Sequence, residues 1–151
     1  MRKSWRVLVD ANLLLYATDS SYPMHDRAQQ WLTGVMTGNQ RVGLAWSSIG
    51  AFLRIATNPR ICANPLTSQQ AWEQVEAWLG ADPTWIPPAT ERTAAICGNL
   101  VVGHRVTSDL VPDAMLAALA LEHGLTIYSA DTDFARFAEI RWVNPLTEVA
   151  I

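Results

Sequence analysis

Two cysteines, Cys62 and Cys97, are all that this 151-residue chain carries, and they lack the C-x-x-C spacing of a zinc or redox site. So few thiols imply a reduced, intracellular protein. No uninterrupted apolar run reaches the roughly 20 residues needed to cross a bilayer. The basic stretch Met1 to Arg6 leads into an apolar run broken by Asp10 and Asn12, which does not fit a secretory signal. The expectation is a soluble, cytoplasmic protein with no membrane partner. Also missing are G-x-S-x-G, a Gly-rich phosphate loop and H-E-x-x-H, so a serine hydrolase, a P-loop enzyme and a zinc protease have no support. Lysine is nearly absent: of the eleven basic residues only Lys3 is not arginine. Arginine forks suit phosphate, though a GC-rich genome gives the same skew and is the plainer explanation. A net charge of -3 and a pI of about 5.5 argue against a phosphate-binding face. That objection weakens if several of the 14 acids gather on a divalent cation.

Half of the residues are hydrophobic and 17% are charged, which suits one compact domain over 1–151. Strand and helix patterns alternate. An apolar strand pattern opens at Trp5 and stops at Asp10, with Val7 to Val9 its buried-strand run, followed by a short helix over Ala11 to Ala17, and Pro23 precedes a helix over His25 to Val35. Arg41 to Trp46 reads as a second strand, with a helix capped at Ser47 or Ser48 and ended by Pro59. Thr67 and Gln70 match a capping box for a helix over Ser68 to Leu79, closed by Gly80. Thr84 to Ile86 is a third strand and Thr90 to Val102 another helix. Pro112 belongs at the first position of the next helix, which ends at Gly124. A short strand, a short helix over Thr132 to Phe137 and a last strand over Ile140 to Val143 complete the pattern. Such alternation makes an α/β fold with a parallel sheet the default.

Carboxylates stand where these elements begin and end. Asp10 follows the first strand, Asp113 opens a helix, and Asp131 and Asp133 follow the strand after it. Taken singly, each has a plain structural reading as a cap, a helix-dipole partner or a turn residue. Together they imply more, because parallel pairing of the two strands would bring Asp10 and Asp131 to one sheet edge, where open α/β sheets bind ligands. Acids from distant segments repel at such an edge unless they are protonated or bridged by a cation. Oxygen ligands without Cys or His suit Mg²⁺ or Mn²⁺. Such an ion can generate hydroxide from water, bind a scissile phosphate and stabilise the leaving oxygen.

The segments VLVDANLLLYA, AFLRIATNPR, DAMLAALA and SADTDFARF, in that order over nearly the whole chain, resemble the PIN-domain ribonuclease toxins of the VapBC toxin-antitoxin class, above all the mycobacterial set. The resemblance implies a three-layer α/β/α PIN-like fold with a central parallel sheet. It implies a Mg²⁺- or Mn²⁺-dependent endoribonuclease toxin acting on structured RNA such as tRNA or rRNA. It also implies a homodimer and a cognate VapB-like antitoxin whose C-terminal arm blocks the acidic pocket. By position, Asp10, Asp113 and Asp131 match the family's catalytic, metal-binding acids, and Asp133 matches a further acid often present. Asn12 falls where the family has a hydrogen-bonding residue beside the first Asp. Many relatives carry a Glu where this chain has Ala51, so the fourth acid is missing.

Arg54 and Arg60 are candidates for RNA phosphates, with solvated surface as the competing reading. Trp46, Trp72, Trp78 and Trp142 could stack bases, but core or dimer packing fits their apolar neighbours better. His25 and His104 are weak candidates, Asp109 reads best as a helix cap, and Arg136 could reach the acids or simply lie exposed. The alternative to a nuclease is an RNA-binding PIN-like module that grips without cutting. A phosphatase of another acidic fold would need D-x-D after the first strand, where position 12 is Asn.

Overall fold

The chain's structure is a computed structural model that describes residues 6–147. The sequence-predicted strand residue Trp5 lies outside the described residues. Five short parallel strands form one sheet in the order β3-β2-β1-β4-β5: β1 (Val7–Val9), β2 (Val42–Gly43), β3 (Thr84–Trp85), β4 (Thr126–Tyr128) and β5 (Arg141–Val143). Helices cover both faces: α1 (Ala11–Thr18), α2 (His25–Met36), α3 (Trp46–Ala56), α4 (Ser68–Leu79), α5 (Thr93–Gly103) and α6 (Val111–His123). This is the three-layer α/β/α arrangement with a central parallel sheet.

The alternation of β1 divides the core in two, since successive strand side chains point to opposite faces. Val7 and Val9 pack with Val42, Leu44 and the inner faces of α1 to α4. Leu8 packs on the other face with Ile127, Leu100 of α5 and the alanine-rich inner face of α6. Phe52 and Trp78 meet edge-on at 4.8 Å between α3 and α4, with Phe52 fully buried. Trp31 is half-buried and stacks on Tyr128 at 5.3 Å.

The capping box at Thr67 and Gln70 forms, with both reciprocal hydrogen bonds present, and its helix has the expected bounds. Gly124 ends α6 in a left-handed conformation (φ 65°), which is easy for glycine and costly for other residues. The second strand is shorter than its pattern predicts. Gly43 lies so close to Val7 O and Pro87 that a Cβ would approach them to 3.2 and 3.1 Å. The helix then begins at Trp46, with Ile49 N donating to Ala45 O and no serine cap. This start leaves Trp46 57% exposed, so it is not a core residue, and neither is Trp72 at 42%.

Helix α5 begins at Thr93, later than the sequence pattern's Thr90, and the Thr90 and Thr93 hydroxyls both donate to the Glu122 carboxylate of α6. Pro112 sits one place into α6, where its missing N–H costs nothing. Asp109 does not cap that helix: it lies exposed within a 3-10 turn over Ser108–Leu110, and the cap position is Leu110.

Truncating Phe52 to alanine should lower stability by about 3–5 kcal/mol, the cost of emptying an aromatic core site. Urea denaturation should show this as a shifted midpoint with an unchanged slope.

Candidate functional site

Parallel pairing of β1 with β4 puts Val9 beside Tyr128, so both strands end together. Asp10 N then donates to Tyr128 O at 3.0 Å, and Ser129 N to Val143 O at 3.0 Å. The residues after the two strands therefore leave the sheet at one edge. Helix α6 brings Asp113 to the same place. The chain reverses at Gly124 before entering β4, so the 13-residue helix runs back along the sheet and its first turn returns to the edge where β4 ends.

One carboxylate oxygen from each of Asp113, Asp131 and Asp133 lies within 4.8 Å of the others. Asp131 is placed by capping a 3-10 turn over Thr132–Arg136, where its Oδ1 accepts from Asp133 N at 2.8 Å. Phe134 and Phe137, both 1% exposed, root that turn in the core.

Asp10 stands outside this compact triad. Its Oδ1 accepts from Ala11 N at 2.8 Å and caps α1, while its Oδ2 accepts from Ser129 Oγ at 2.7 Å and from Asn12 Nδ2 at 3.4 Å. Asn12 ties the two strand ends together, donating to Ser129 Oγ at 3.0 Å and accepting from Ala130 N at 3.2 Å. Ser129 Oγ also accepts from Asp131 N at 3.0 Å. This fully buried hydroxyl is thus the hub between the first and third aspartates. Sequence reasoning passed over it, because a serine after a strand has no meaning until that strand's neighbour is known.

The acids repel one another. Burial, then Asp131, Asp10 and Asp133, push the Asp113 carboxyl up to about 7, with Arg136 pulling the other way. Asp10 is also raised, chiefly by burial and further by Asp131, against the hydrogen bonds from Ser129 and Ala11. An all-carboxylate oxygen set held this close fits a hard divalent cation. Ala51, half-buried in α3, adds no oxygen to it.

Other candidates fall elsewhere. Arg54 lies exposed in the last turn of α3, and Arg60 in the loop beyond, removed from the edge where that helix starts. Neither they nor Asp109 are among the groups acting on Asp10 or Asp113. His104 pairs with Glu139 at 2.9 Å and meets Phe137 edge-on, while His25 binds Tyr16 O at 2.8 Å. Trp142 donates to Ser129 O at 2.9 Å, a packing role beneath the site, and Trp78 is buried.

A parallel α/β/α sandwich with aspartates converging beyond its strand ends defines a PIN-type acidic site, and the PIN domain family matches residues 7–140. The chain belongs to the PIN-domain family, among its VapC ribonucleases. It is 39% identical to Ribonuclease VapC33 of Mycobacterium tuberculosis over 142 residues, covering 94% of this chain and 99% of that protein. It is 41% identical to Ribonuclease VapC37 of the same species over 138 residues, covering 91% and 96%. In fold it is similar to VapBC2 from Rickettsia felis bound to promoter DNA (TM-score 0.68, 13% identity, 91% of this chain and 97% of that one). It is also similar to M. tuberculosis VapC20, a sarcin-ricin-loop-cleaving toxin (TM-score 0.66, 15% identity, 89% and 98%).

Two outcomes follow from this geometry. Replacing Ser129 by alanine removes a donor to Asp10, so the Asp10 carboxyl should titrate higher still, as read by carbon NMR of its side chain. Stability should fall by about 1–3 kcal/mol for the polar groups left unpaired. Separately, Asp113 binds its proton more tightly in the folded than in the unfolded chain, from the ordinary value of 3.8 up to about 7. This group therefore favours folding at low pH, and its contribution declines as pH rises through that window. The lowered Glu122 and Glu139 act in the opposite sense only below their ordinary 4.5. Thermal melts of metal-free protein should show a loss of Tm from pH 5 to pH 8. Added Mn²⁺ should restore more at pH 8, where no proton competes.

Proposed function

We propose that this chain is the toxin of a VapBC-type pair, a Mg²⁺- or Mn²⁺-dependent endoribonuclease that hydrolyses phosphodiester bonds in structured RNA such as tRNA or rRNA. The observation that carries the reading is the triad Asp113, Asp131 and Asp133 at the strand ends, with Asp10 hydrogen-bonded behind it. Its relatives' name, ribonuclease VapC, supplies the reaction class. In this reading Asp10, Asp113 and Asp131 are the catalytic acids and metal ligands, and Asp133 joins them directly or through water. When bound, the ion activates water at neutral pH and offsets charge on the phosphate.

The chain's own residues do the rest. Asn12 and Ser129 fix the orientation of Asp10, and Asp131 is held by the turn it caps. The raised Asp113 changes protonation near neutral pH, so proton and cation compete there. Arg54 and Arg60 meet phosphates further from the scissile bond. The whole of 1–151 acts as one nuclease domain.

The partner reading draws on solved neighbours that are VapBC assemblies, from Rickettsia felis and from nontypeable Haemophilus influenzae. A VapB-like antitoxin would cover the acidic edge, and a homodimer would bury exposed apolar surface such as Met115. A cytoplasmic site of action belongs to this reading; among the described residues no helix is long and apolar enough to cross a membrane. The missing acid at Ala51 favours one competing reading, an RNA-binding module that does not cut.

Purified protein should cleave structured RNA only when Mg²⁺ or Mn²⁺ is present, and Asp10→Asn should reduce cleavage to background while keeping the circular dichroism spectrum. RNA retention indifferent to divalent ions, with no products, would establish the module instead. Undiminished cleavage by Asp10→Asn would remove the catalytic assignment.

A further inference from the structure

Among the described residues Arg136 is the one cation that acts on Asp113, yet it is not tied up by the acids it neighbours. The turn over Thr132–Arg136 is a 3-10 helix, in which side chains three apart lie one above the other. Asp133 and Arg136 have that spacing, so the arginine rises from the same face as a carboxylate of the triad. The backbone beneath it is fixed: Phe137 N donates to Phe134 O at 3.1 Å and both rings are buried. The side chain itself is exposed. Among the described residues the guanidinium takes part in no hydrogen bond and no ion pair.

That combination is unusual on electrostatic grounds. A guanidinium placed only to neutralise the acids would pair with one of them bidentately, the geometry for which arginine is suited. Here it comes close enough to draw the Asp113 carboxyl down but keeps its donors open. An anion arriving at the acidic edge must approach carboxylates, and it needs a fixed positive group to meet it.

We propose that Arg136 is the residue that holds the substrate phosphate at this site, its free N–H donors binding non-bridging oxygens of the RNA backbone beside the carboxylate triad. This rests on the reading of RNA as substrate. The guanidinium orients the phosphodiester toward the acids; it moves no proton and makes no covalent bond.

Two variants, Arg136→Gln and Arg136→Lys, test the assignment. With structured RNA in Ca²⁺ buffer, the slope of log affinity against log salt should be shallower by about one for Arg136→Gln, the change expected on losing one phosphate contact. In Mn²⁺, kcat/KM should drop roughly ten- to hundredfold, what one charge-assisted hydrogen bond is worth. Arg136→Lys should recover part of both, since a point charge replaces a fork. Stabilisation by saturating Mn²⁺ alone should not be lost in either variant, since the guanidinium is not a ligand, although Arg136→Gln also removes a charge that acts on Asp113. A wild-type salt slope in Arg136→Gln overturns the proposal, and so does a loss of Mn²⁺ stabilisation that accompanies the loss of affinity. If the wild-type protein binds RNA without cleaving it, the nuclease reading fails while the salt slope still decides on Arg136.

Discussion

The parallel pairing of β1 with β4 is the constraint on which the rest of the structure depends. Each strand is only three residues long, so neither has stability of its own, and both are held by the two half-cores that Val7, Val9 and Leu8 divide between them. Register then does what no local propensity could. With Val9 opposite Tyr128, Asp10 and Ser129 leave the sheet side by side, and the Ser129 hydroxyl closes the gap to Asp131. A slip of one residue would turn Leu8 and Ile127 to the wrong face as well as separate the acids. Core and site are thus specified by the same pairing.

Much of this was legible in the sequence, for identifiable reasons. The helix over Ser68–Leu79 could be read to the residue because the Thr67–Gln70 capping box is a local device. The positions of Asp10, Asp113 and Asp131 at element boundaries could be read because strand and helix periods change there. Failures arose where tertiary packing overrode a local signal. The run from Arg41 to Trp46 has the composition of a strand, but the start of α3 at Trp46 leaves it two residues and Trp46 exposed. Asp109 looks like a cap, yet a 3-10 turn intervenes before α6. Ser129 was invisible because the three partners of its hydroxyl, Asp10, Asn12 and Asp131, come from both strand ends.

The composition of the triad also differs from the expectation in a way that physics explains. The sequence reading puts Asp10 first with Asp113 and Asp131 and adds Asp133 as a further acid, whereas the oxygens that gather within 4.8 Å of one another belong to Asp113, Asp131 and Asp133. Asp10 spends its lone pairs on Ala11, Asn12 and Ser129, and these bonds favour its charged form against burial. It therefore contributes a negative potential that raises Asp113 without crowding the triad. A fourth acid behind the other three adds to the pocket's attraction for a dication even though α3, with Ala51, gives nothing to it.

Concentrating the remaining chemistry on one short turn has a mechanical consequence. Asp131, Asp133 and Arg136 all belong to the segment that runs from the end of β4 to Phe137, and a 3-10 turn of five residues has little internal cooperativity. Its geometry is imposed from below by Phe134 and Phe137, and from beside it by Trp142, whose indole N–H donates to Ser129 O. Two carboxylates and the guanidinium therefore share one support, while Asp113 comes from α6 and Asp10 from the end of β1. Any displacement of that support moves two carboxylates and the guanidinium together. The buried Phe134 and Phe137 thus govern the site's precision from within the core.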